Sequence, residues 1–158
     1  MPSILQCVIY LALIGLLSFL LGRLVPKAWF TGESYPLKDF PFEKQGRIYE
    51  KIKIKQWQDK LPDMSRILPK IMPHKRMEGQ DSAGVLRMVQ ETGVAEFTHL
   101  LLAAAGFWCI KLWPGLGGVL VAAINFLGNM AFVLIQRYNR PRLQRLLSLC
   151  RRREAKTA

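Results

Sequence analysis

Cysteine and histidine are scarce in this sequence of 158 residues, which contains three cysteines and two histidines. Cys7, Cys109 and Cys150 lie far apart, and no pair has the C-x-x-C spacing. This distribution excludes a disulfide framework and a cysteine-based zinc site. We therefore predict no bound metal, and we interpret Cys7 and Cys109 as apolar membrane residues.

Charge is missing from two long stretches. Residues 3–22 carry no charged side chain, and residues 97–136 carry only Lys111. At about 1.5 Å per residue, the first stretch covers the roughly 30 Å hydrocarbon core once and the second covers it twice. The sequence therefore predicts an all-α integral membrane protein with about three transmembrane helices. The first is predicted to be an uncleaved anchor, because MPSILQ lacks the basic residues of a signal peptide.

We predict a single membrane domain over residues 1–158, with five parts. These are a first transmembrane helix (3–25), a cytoplasmic interfacial segment (26–80), a helix that includes the second span (81–112), a third span (115–136) and a basic cytoplasmic tail (137–158). Asp81 or Ser82 is the expected N-cap of the second of these helices. The break between the last two spans is predicted from one proline and three glycines: Pro114, Gly115, Gly117 and Gly118.

Acidic residues are also few, 11 against 23 Lys plus Arg, which gives a net charge of +12. Fourteen basic residues lie between positions 23 and 93, eight lie from 137 onward, and Lys111 is the remaining one. The positive-inside rule then predicts a multi-pass cell-membrane protein with its N-terminus outside and its C-terminus in the cytoplasm. Since the charge flanks apolar spans, we expect membrane lipids or an anionic acyl donor as partners and no nucleic acid.

The segment between the first two spans alternates apolar and basic residues. Ile48, Ile52, Trp57 and Leu61 recur at helical spacing with lysines between them, and Met64, Ile67, Leu68 and Ile71 continue the pattern. This pattern predicts interfacial amphipathic helices with the apolar face toward the membrane. The stretch KIKIK (51–55) also fits a short strand, which is the alternative at that point.

Glu96 and His99 stand three residues apart at the predicted cytoplasmic start of the second span, on one helical face with Thr92. A carboxylate beside an imidazole fixes its tautomer and raises its basicity, as a general base for acyl transfer requires. Two alternatives remain. The pair could mark only the membrane interface, or it could belong to a metal-dependent lipid enzyme.

The third span carries a line of amides, because Asn125, Asn129 and Gln136 fall within about 40° of each other on a helical wheel. The simplest interpretation of Asn125 and Asn129 is hydrogen bonding between helices. Gln136 is predicted to lie at the same membrane edge as Glu96 and His99. The small residues 103–106 on the second span allow helices to approach closely, or leave a slot for an acyl chain.

The third span ends in QRYNRPRL, residues 136–143. Arg137, Arg140 and Arg142 supply planar forks suited to phosphate or carboxylate, whereas a simple electrostatic anchor could use lysine. The interleaved Tyr138, Asn139 and Pro141 add hydrogen bonding and a predicted turn. We interpret this segment as part of a binding site, with a positive-inside anchor as the alternative.

Three stretches in this order, FPFEKQGRIYEKIKIKQWQDKLPD, ETGVAEFTH and QRYNRPRLQRLL, resemble the CrtO-type glycosyl-diaponeurosporenoate acyltransferases of staphyloxanthin biosynthesis. The resemblance covers roughly residues 40–153. It departs from the family pattern at Leu100, where an aromatic residue is expected, and over residues 64–83. It implies a small membrane enzyme that esterifies a sugar hydroxyl of a glycosylated carotenoid, or a related glycolipid, with a fatty acyl group.

We therefore predict direct acyl transfer with His99 as general base and Glu96 as its orienting partner. The predicted binding residues for donor and substrate are Trp57, Lys60, Asn129, Gln136, Arg137, Tyr138, Asn139, Arg140 and Arg142. No cofactor is expected, because the acyl donor, a thioester, is a substrate. A homo-oligomer is left open. The alternative function is a non-catalytic adaptor that binds anionic lipid or partner enzymes through its basic face.

Overall fold

The computed structural model of the chain describes residues 3–61 and 81–157. Within these ranges every regular element is helical and no strand occurs. Three helical stretches are long and apolar enough to cross a membrane: Ser3–Leu24, Ser82–Leu112 and Leu116–Thr157. The predicted all-α membrane fold is confirmed.

The second long helix, Ser82–Ala105, begins where the sequence predicts it. The Oδ1 atom of Asp81 accepts a hydrogen bond from the backbone N–H of Gly84 at 3.0 Å. This contact satisfies one of the donors left unpaired at a helix start and makes Asp81 the N-cap. The Ser82 N–H donates instead to a carboxylate oxygen of Glu154 at 2.7 Å.

The turn before the third long helix, Leu116–Thr157, is shorter than the glycine pattern suggests. The chain reverses around Gly115, whose φ of +100° lies in the left-handed region that glycine tolerates. Gly117 and Gly118 are already helical. They give room for the turn, because a Cβ atom at either position would stand 2.2 Å from an atom of Trp113.

The predicted turn at Pro141 is wrong, because the third long helix runs through this residue to Thr157. Proline inside a helix removes a hydrogen bond and costs about 3 kcal/mol. Packing on both sides of Pro141 offsets that cost: the Arg140 side chain is buried in hydrogen bonds before it, and Leu147 and Cys150 pack with Val85 after it.

The interfacial segment contains no strand over its described residues, and residues 51–55 belong to short helices and the turn between them, so the strand alternative for KIKIK is wrong. It forms short pieces instead of long amphipathic helices: Lys27–Phe30, Pro41–Glu43, Arg47–Ile52, Ile54–Trp57 and Gln58–Lys60. Left-handed residues stand before and after Arg47–Ile52, with φ of +81° at Gly46 and +54° at Lys53, and a continuous helix cannot pass through such positions. The rest of the predicted pattern, from Met64 to Ile71, lies outside the described residues.

The chain divides into two compact units. The first unit comprises Met1–Pro26 and Val94–Gln136, and the second comprises Lys27–Gly93 and Arg137–Ala158. In the first unit, the Tyr10 hydroxyl donates to the Ala105 carbonyl at 3.0 Å, and Cys7 is buried against Cys109. The core of the second unit contains Val85, Leu147 and Cys150.

The predicted close approach at the small residues 103–106 is confirmed at Gly106 in the first unit. A Cβ atom there would stand 2.0 Å from Asn125 Nδ2 and 2.7 Å from its Cγ. The use of this stretch as an acyl slot stays a prediction.

Gly106→Ala is expected to destabilise the protein by about 1–2 kcal/mol, because Asn125 must move and lose its hydrogen bond to the Leu102 carbonyl. Thermal unfolding in a mild detergent measures the change. Gly128→Ala is the matched control, since a Cβ atom there meets nothing within 4 Å. Equal unfolding midpoints for the two variants would contradict the packing described here.

Candidate active site

His99 is held by two contacts within the first unit. Its Nδ1 atom forms a hydrogen bond with Asn129 Oδ1 at 2.9 Å. Its ring lies parallel to that of Phe132, with the centroids 4.5 Å apart and 7° between the planes. The hydrogen bond fixes the rotation of the ring and the stacking fixes its plane, so His99 has one defined orientation.

A chain of amides sets the direction of that hydrogen bond. Asn125 Nδ2 donates to the Leu102 carbonyl at 2.9 Å, and Asn129 Nδ2 donates to the Asn125 carbonyl at 2.8 Å. Backbone carbonyls only accept, so each amide must present its nitrogen to them. The Asn129 oxygen therefore faces His99, and His99 must donate from Nδ1.

This tautomer decides what His99 can do. A neutral imidazole with its proton on Nδ1 keeps the lone pair on Nε2. Nε2 can thus accept a proton from a hydroxyl group, which is the step a general base performs.

The hydrogen-bond partner of the ring at Nδ1 is Asn129, which the sequence analysis assigns to binding. Glu96, the predicted orienting partner, belongs to the same unit and is fully buried. Asn129 is thus a positioning residue for His99. The predicted use of Asn125 to link helices is confirmed by its bond to Leu102. The roles of Glu96 and of the half-buried Gln136 stay predictions.

Arg137 is the first of three arginines in QRYNRPRL, and its guanidinium group contacts residues of the second unit. Its Nη1 atom lies 2.9 and 2.8 Å from the two carboxylate oxygens of Glu43. Its Nη2 atom donates to the Pro36 carbonyl at 2.6 Å, and its guanidinium group lies over the Phe40 ring at 4.7 Å. Since the Glu43 side chain is 1% exposed, this is a buried ion pair.

Glu43 is ionised in this environment. Burial raises the pKa of its carboxyl group, but three donors more than offset that effect. These are the Tyr49 hydroxyl, the Phe40 N–H at 2.6 Å and Arg137. The result is a pKa below the ordinary 4.5. Burial and the neighbouring carboxylate together raise the pKa of Tyr49.

Arg140 is the most buried of the three arginines, at 3% exposure. It donates to the Thr92 hydroxyl and carbonyl, both at 3.1 Å, and to the Leu37 carbonyl. It therefore joins the interfacial segment and the second long helix to the basic end of the third.

Arg142 lies at the edge of the second unit, where its side chain is 32% exposed. The guanidinium group stacks 3.5 Å over the Tyr138 ring, and Nη2 donates to Glu50 at 2.9 Å. Gly46 makes room for this arrangement, because a Cβ atom there would stand 3.2 Å from Arg142 Nη1. Of the three arginines in QRYNRPRL, Arg142 is thus the one that a solute reaches most easily.

The other predicted binding residues also belong to the second unit. Trp57 is half-buried and donates from its indole to the Ile52 carbonyl at 3.0 Å, whereas Lys60 is exposed. Tyr138 is buried beneath Arg142, and Asn139 is half-buried. The structure brings His99 and Asn129 together in one unit and the three arginines together in the other. That both groups act in one site stays a prediction.

Sequence reasoning missed Phe132, Glu43 and Tyr49 as parts of these clusters. Phe132 lies one helical turn after Asn129, so its place beside His99 could have been found from spacing. In the part of the chain that the structure describes, no three His, Cys, Asp or Glu side chains are grouped as a metal site.

The family model described as CrtO, glycosyl-4,4'-diaponeurosporenoate acyltransferase, matches residues 26–149. The chain belongs to the CrtO family. It is an acyltransferase, which decides between the enzyme and the adaptor alternative.

Curated relatives support the CrtO assignment over most of the chain. A glycosyl-4,4'-diaponeurosporenoate acyltransferase from Staphylococcus aureus (strain bovine RF122 / ET3-1) is 30% identical over 156 residues, which covers 93% of this chain and 89% of the relative. Those of strains N315 and USA300 are 29% identical with the same coverage. No solved structure gives a significant match. Every predicted site residue lies within the range of the CrtO match.

Proposed function

We propose that this CrtO-family chain transfers a fatty acyl group from a thioester to a sugar hydroxyl of a glycosylated carotenoid. The name of the relatives supports the acceptor class. The observation that carries the chemistry is the hydrogen bond between His99 Nδ1 and the Asn129 oxygen. From it we infer that the proton lies on Nδ1 and the lone pair on Nε2.

In the proposed reaction, Nε2 of His99 takes the proton of the sugar hydroxyl as the oxygen attacks the carbonyl carbon of the thioester. A carbon–oxygen bond forms and the carbon–sulfur bond breaks. The imidazolium then returns its proton to the departing thiolate. The His99 imidazole and the thiol product are then both neutral. The donors proposed for the developing oxyanion are Gln136, Tyr138 and Asn139. No covalent acyl-enzyme forms.

The arginines have different proposed roles. Arg142 binds an anionic group of the donor, because it is the most exposed of the three and its fork is held flat on Tyr138. Arg137 and Arg140 position the segments that carry the binding groups. Lys60 and Trp57 close the donor site from the interfacial segment.

The distribution of charge supports the predicted membrane topology, with the N-terminus outside and the C-terminus in the cytoplasm. The turn around Gly115 then lies outside with Lys111 near it, while the remaining 22 basic residues are cytoplasmic. With this topology, the proposed reaction takes place at the cytoplasmic face of the membrane.

The direct test is an assay with the purified protein in lipid nanodiscs, supplied with a fatty acyl thioester and a glycosylated diapocarotenoid. We expect an ester whose mass equals that of the acceptor plus the acyl group, attached to the sugar. Production of an ester on a non-carotenoid glycolipid alone would overturn the proposed acceptor. No ester with either acceptor, from protein that is folded, would overturn the proposed function.

Asn129→Leu is expected to lower kcat about tenfold with little change in KM. The substitution keeps the volume of the side chain but removes the oxygen that holds His99 in one tautomer, so part of the imidazole has its proton on the wrong nitrogen. Steady-state kinetics with both substrates varied measures the change. Gln56→Leu is the control, because Gln56 is an exposed amide outside the first unit with no proposed role in the reaction. A loss confined to KM would contradict a positioning role for Asn129.

A further inference from the structure

The last turns of the third long helix carry a row of exposed cations. Arg145, Arg152 and Lys156 fall within about 40° of one another on a helical wheel, and Arg153 lies about 80° from their centre. All four side chains are exposed. They extend over 11 residues, or about 16 Å at 1.5 Å per residue. We call these four residues the basic stripe.

The opposite side of this helix is occupied by the protein itself. Leu147 and Cys150 are buried with Val85, and Glu154 accepts the hydrogen bond from the Ser82 N–H. Glu154 is also the one acidic residue between positions 137 and 158. The stripe therefore presents positive charge without an intervening carboxylate, and a single exposed leucine, Leu149, lies among its cations.

Two features distinguish the basic stripe from other cation sites. A small anion is bound by cations that converge on it, whereas these cations are spread along a helix face. A helix that inserts into a membrane surface needs an apolar face beside its basic one, and here that face is already buried within the second unit. The pattern instead suits a row of carboxylates on another protein.

A cleft of about 540 Å³ adjoins the stripe on the same helix. Gln144, Ser148 and Arg151 line one wall, and Leu147 lines it together with Leu86 from the second long helix. Thr31 and Glu33 complete the lining, which thus combines apolar, hydrogen-bonding and charged groups. The volume is in the range of small-molecule sites. It suits a flexible arm that carries amides and a thioester.

We infer that the basic stripe docks a small acidic acyl carrier protein that delivers the acyl group on its thioester arm. This inference rests on the proposed acyl-transfer function, for which it names the form of the donor. An acidic partner is drawn to the stripe by charge, and the adjoining cleft receives the arm. The association should weaken as the salt concentration rises, because the stripe is exposed.

The test measures binding of a bacterial holo acyl carrier protein, without an acyl chain or acceptor, to the full chain in phosphatidylcholine nanodiscs. Arg145→Glu, Arg152→Glu and Lys156→Glu are combined in one variant, and the same three positions are changed to Gln in a second. A control variant changes the exposed Lys38, Lys51 and Arg87 to Glu, with an equal change in net charge. We expect both stripe variants to weaken binding at least tenfold and the control to weaken it less than twofold.

Three results would overturn the inference. The first is an equal loss of binding in the stripe and control variants. The second is no binding by the wild-type chain at about 200 µM carrier, a concentration on the order of the Kd of weak protein complexes. The third is an effect of the stripe variants only when anionic lipid is added. The last would assign the stripe to the membrane. If the carrier binds through the stripe but no thioester yields an ester, the proposed function fails and the docking surface stands.

Discussion

His99→Ala is expected to lower kcat for ester formation by about 10²–10⁴-fold, which is the usual contribution of a general base. The alanine removes the lone pair that takes the hydroxyl proton. Substrate contacts elsewhere are unchanged, so KM should move much less. Single-turnover measurements in nanodiscs, at saturating donor and acceptor, separate this chemical step from product release.

His74→Ala is the control, because His74 is the other histidine of the sequence. It should retain wild-type kcat. Thermal unfolding must also show that the His99 variant is folded, since alanine removes both the hydrogen bond to Asn129 and the stacking on Phe132. Full esterification by His99→Ala would show that another group removes the proton.

Glu43→Gln is expected to destabilise the protein by about 3 kcal/mol, because it leaves Arg137 buried without its counter-charge. The amide keeps the shape of the side chain, so the loss is electrostatic. Thermal unfolding in detergent, with an independent probe of the second unit, measures it. Glu50→Gln is the matched control: Glu50 pairs with Arg142, but its side chain is 45% exposed and the effect should be small.

The same variant makes the pH dependence of stability testable. The pKa of Glu43 in the folded protein lies below its ordinary value of 4.5. Its stabilising contribution is therefore complete above pH 4.5 and is lost as the pH falls through the folded-state pKa. The difference in stability between wild type and Glu43→Gln should shrink as the medium is acidified below pH 4.5. A constant difference would contradict a buried, ionised Glu43.

The sequence was sufficient for the long helices, because hydrocarbon imposes length and composition on any segment that crosses it. The N-cap at Asp81 and the break at Gly115 followed from local chemistry, which depends on a few neighbouring residues. The continuous helix through Pro141 did not follow from local chemistry. Its local preference favours a turn, and contacts with residues about 50 and 100 positions earlier outweigh that preference.

The arginine cluster shows the same limit. The forks of Arg137 and Arg140 were predicted to bind phosphate or carboxylate, but their partners lie on distant segments of the chain and could not be chosen from sequence. Glu43 was one acid among 11. Only the folded interfacial segment shows that it is buried with Tyr49 and faces Arg137.

The contact of His99 with Asn129 could have been predicted from the sequence. His99 and Asn129 lie equally far, 15 residues, before and after Pro114. Residues equidistant from the turn between two antiparallel helices lie at similar heights. This symmetry points to Asn129, whereas spacing along a single helix pointed to Glu96.

The most direct test of the proposed mechanism is the tautomer of His99 in the resting protein. With His74→Gln, His99 is the single histidine, and ¹⁵N labelling of histidine then gives the signals of its two ring nitrogens alone. We expect a neutral ring at pH 8 with the proton on Nδ1 and none on Nε2, and a mixture of tautomers in Asn129→Leu. A proton on Nε2 in the otherwise wild-type chain would contradict His99 as the base that starts acyl transfer.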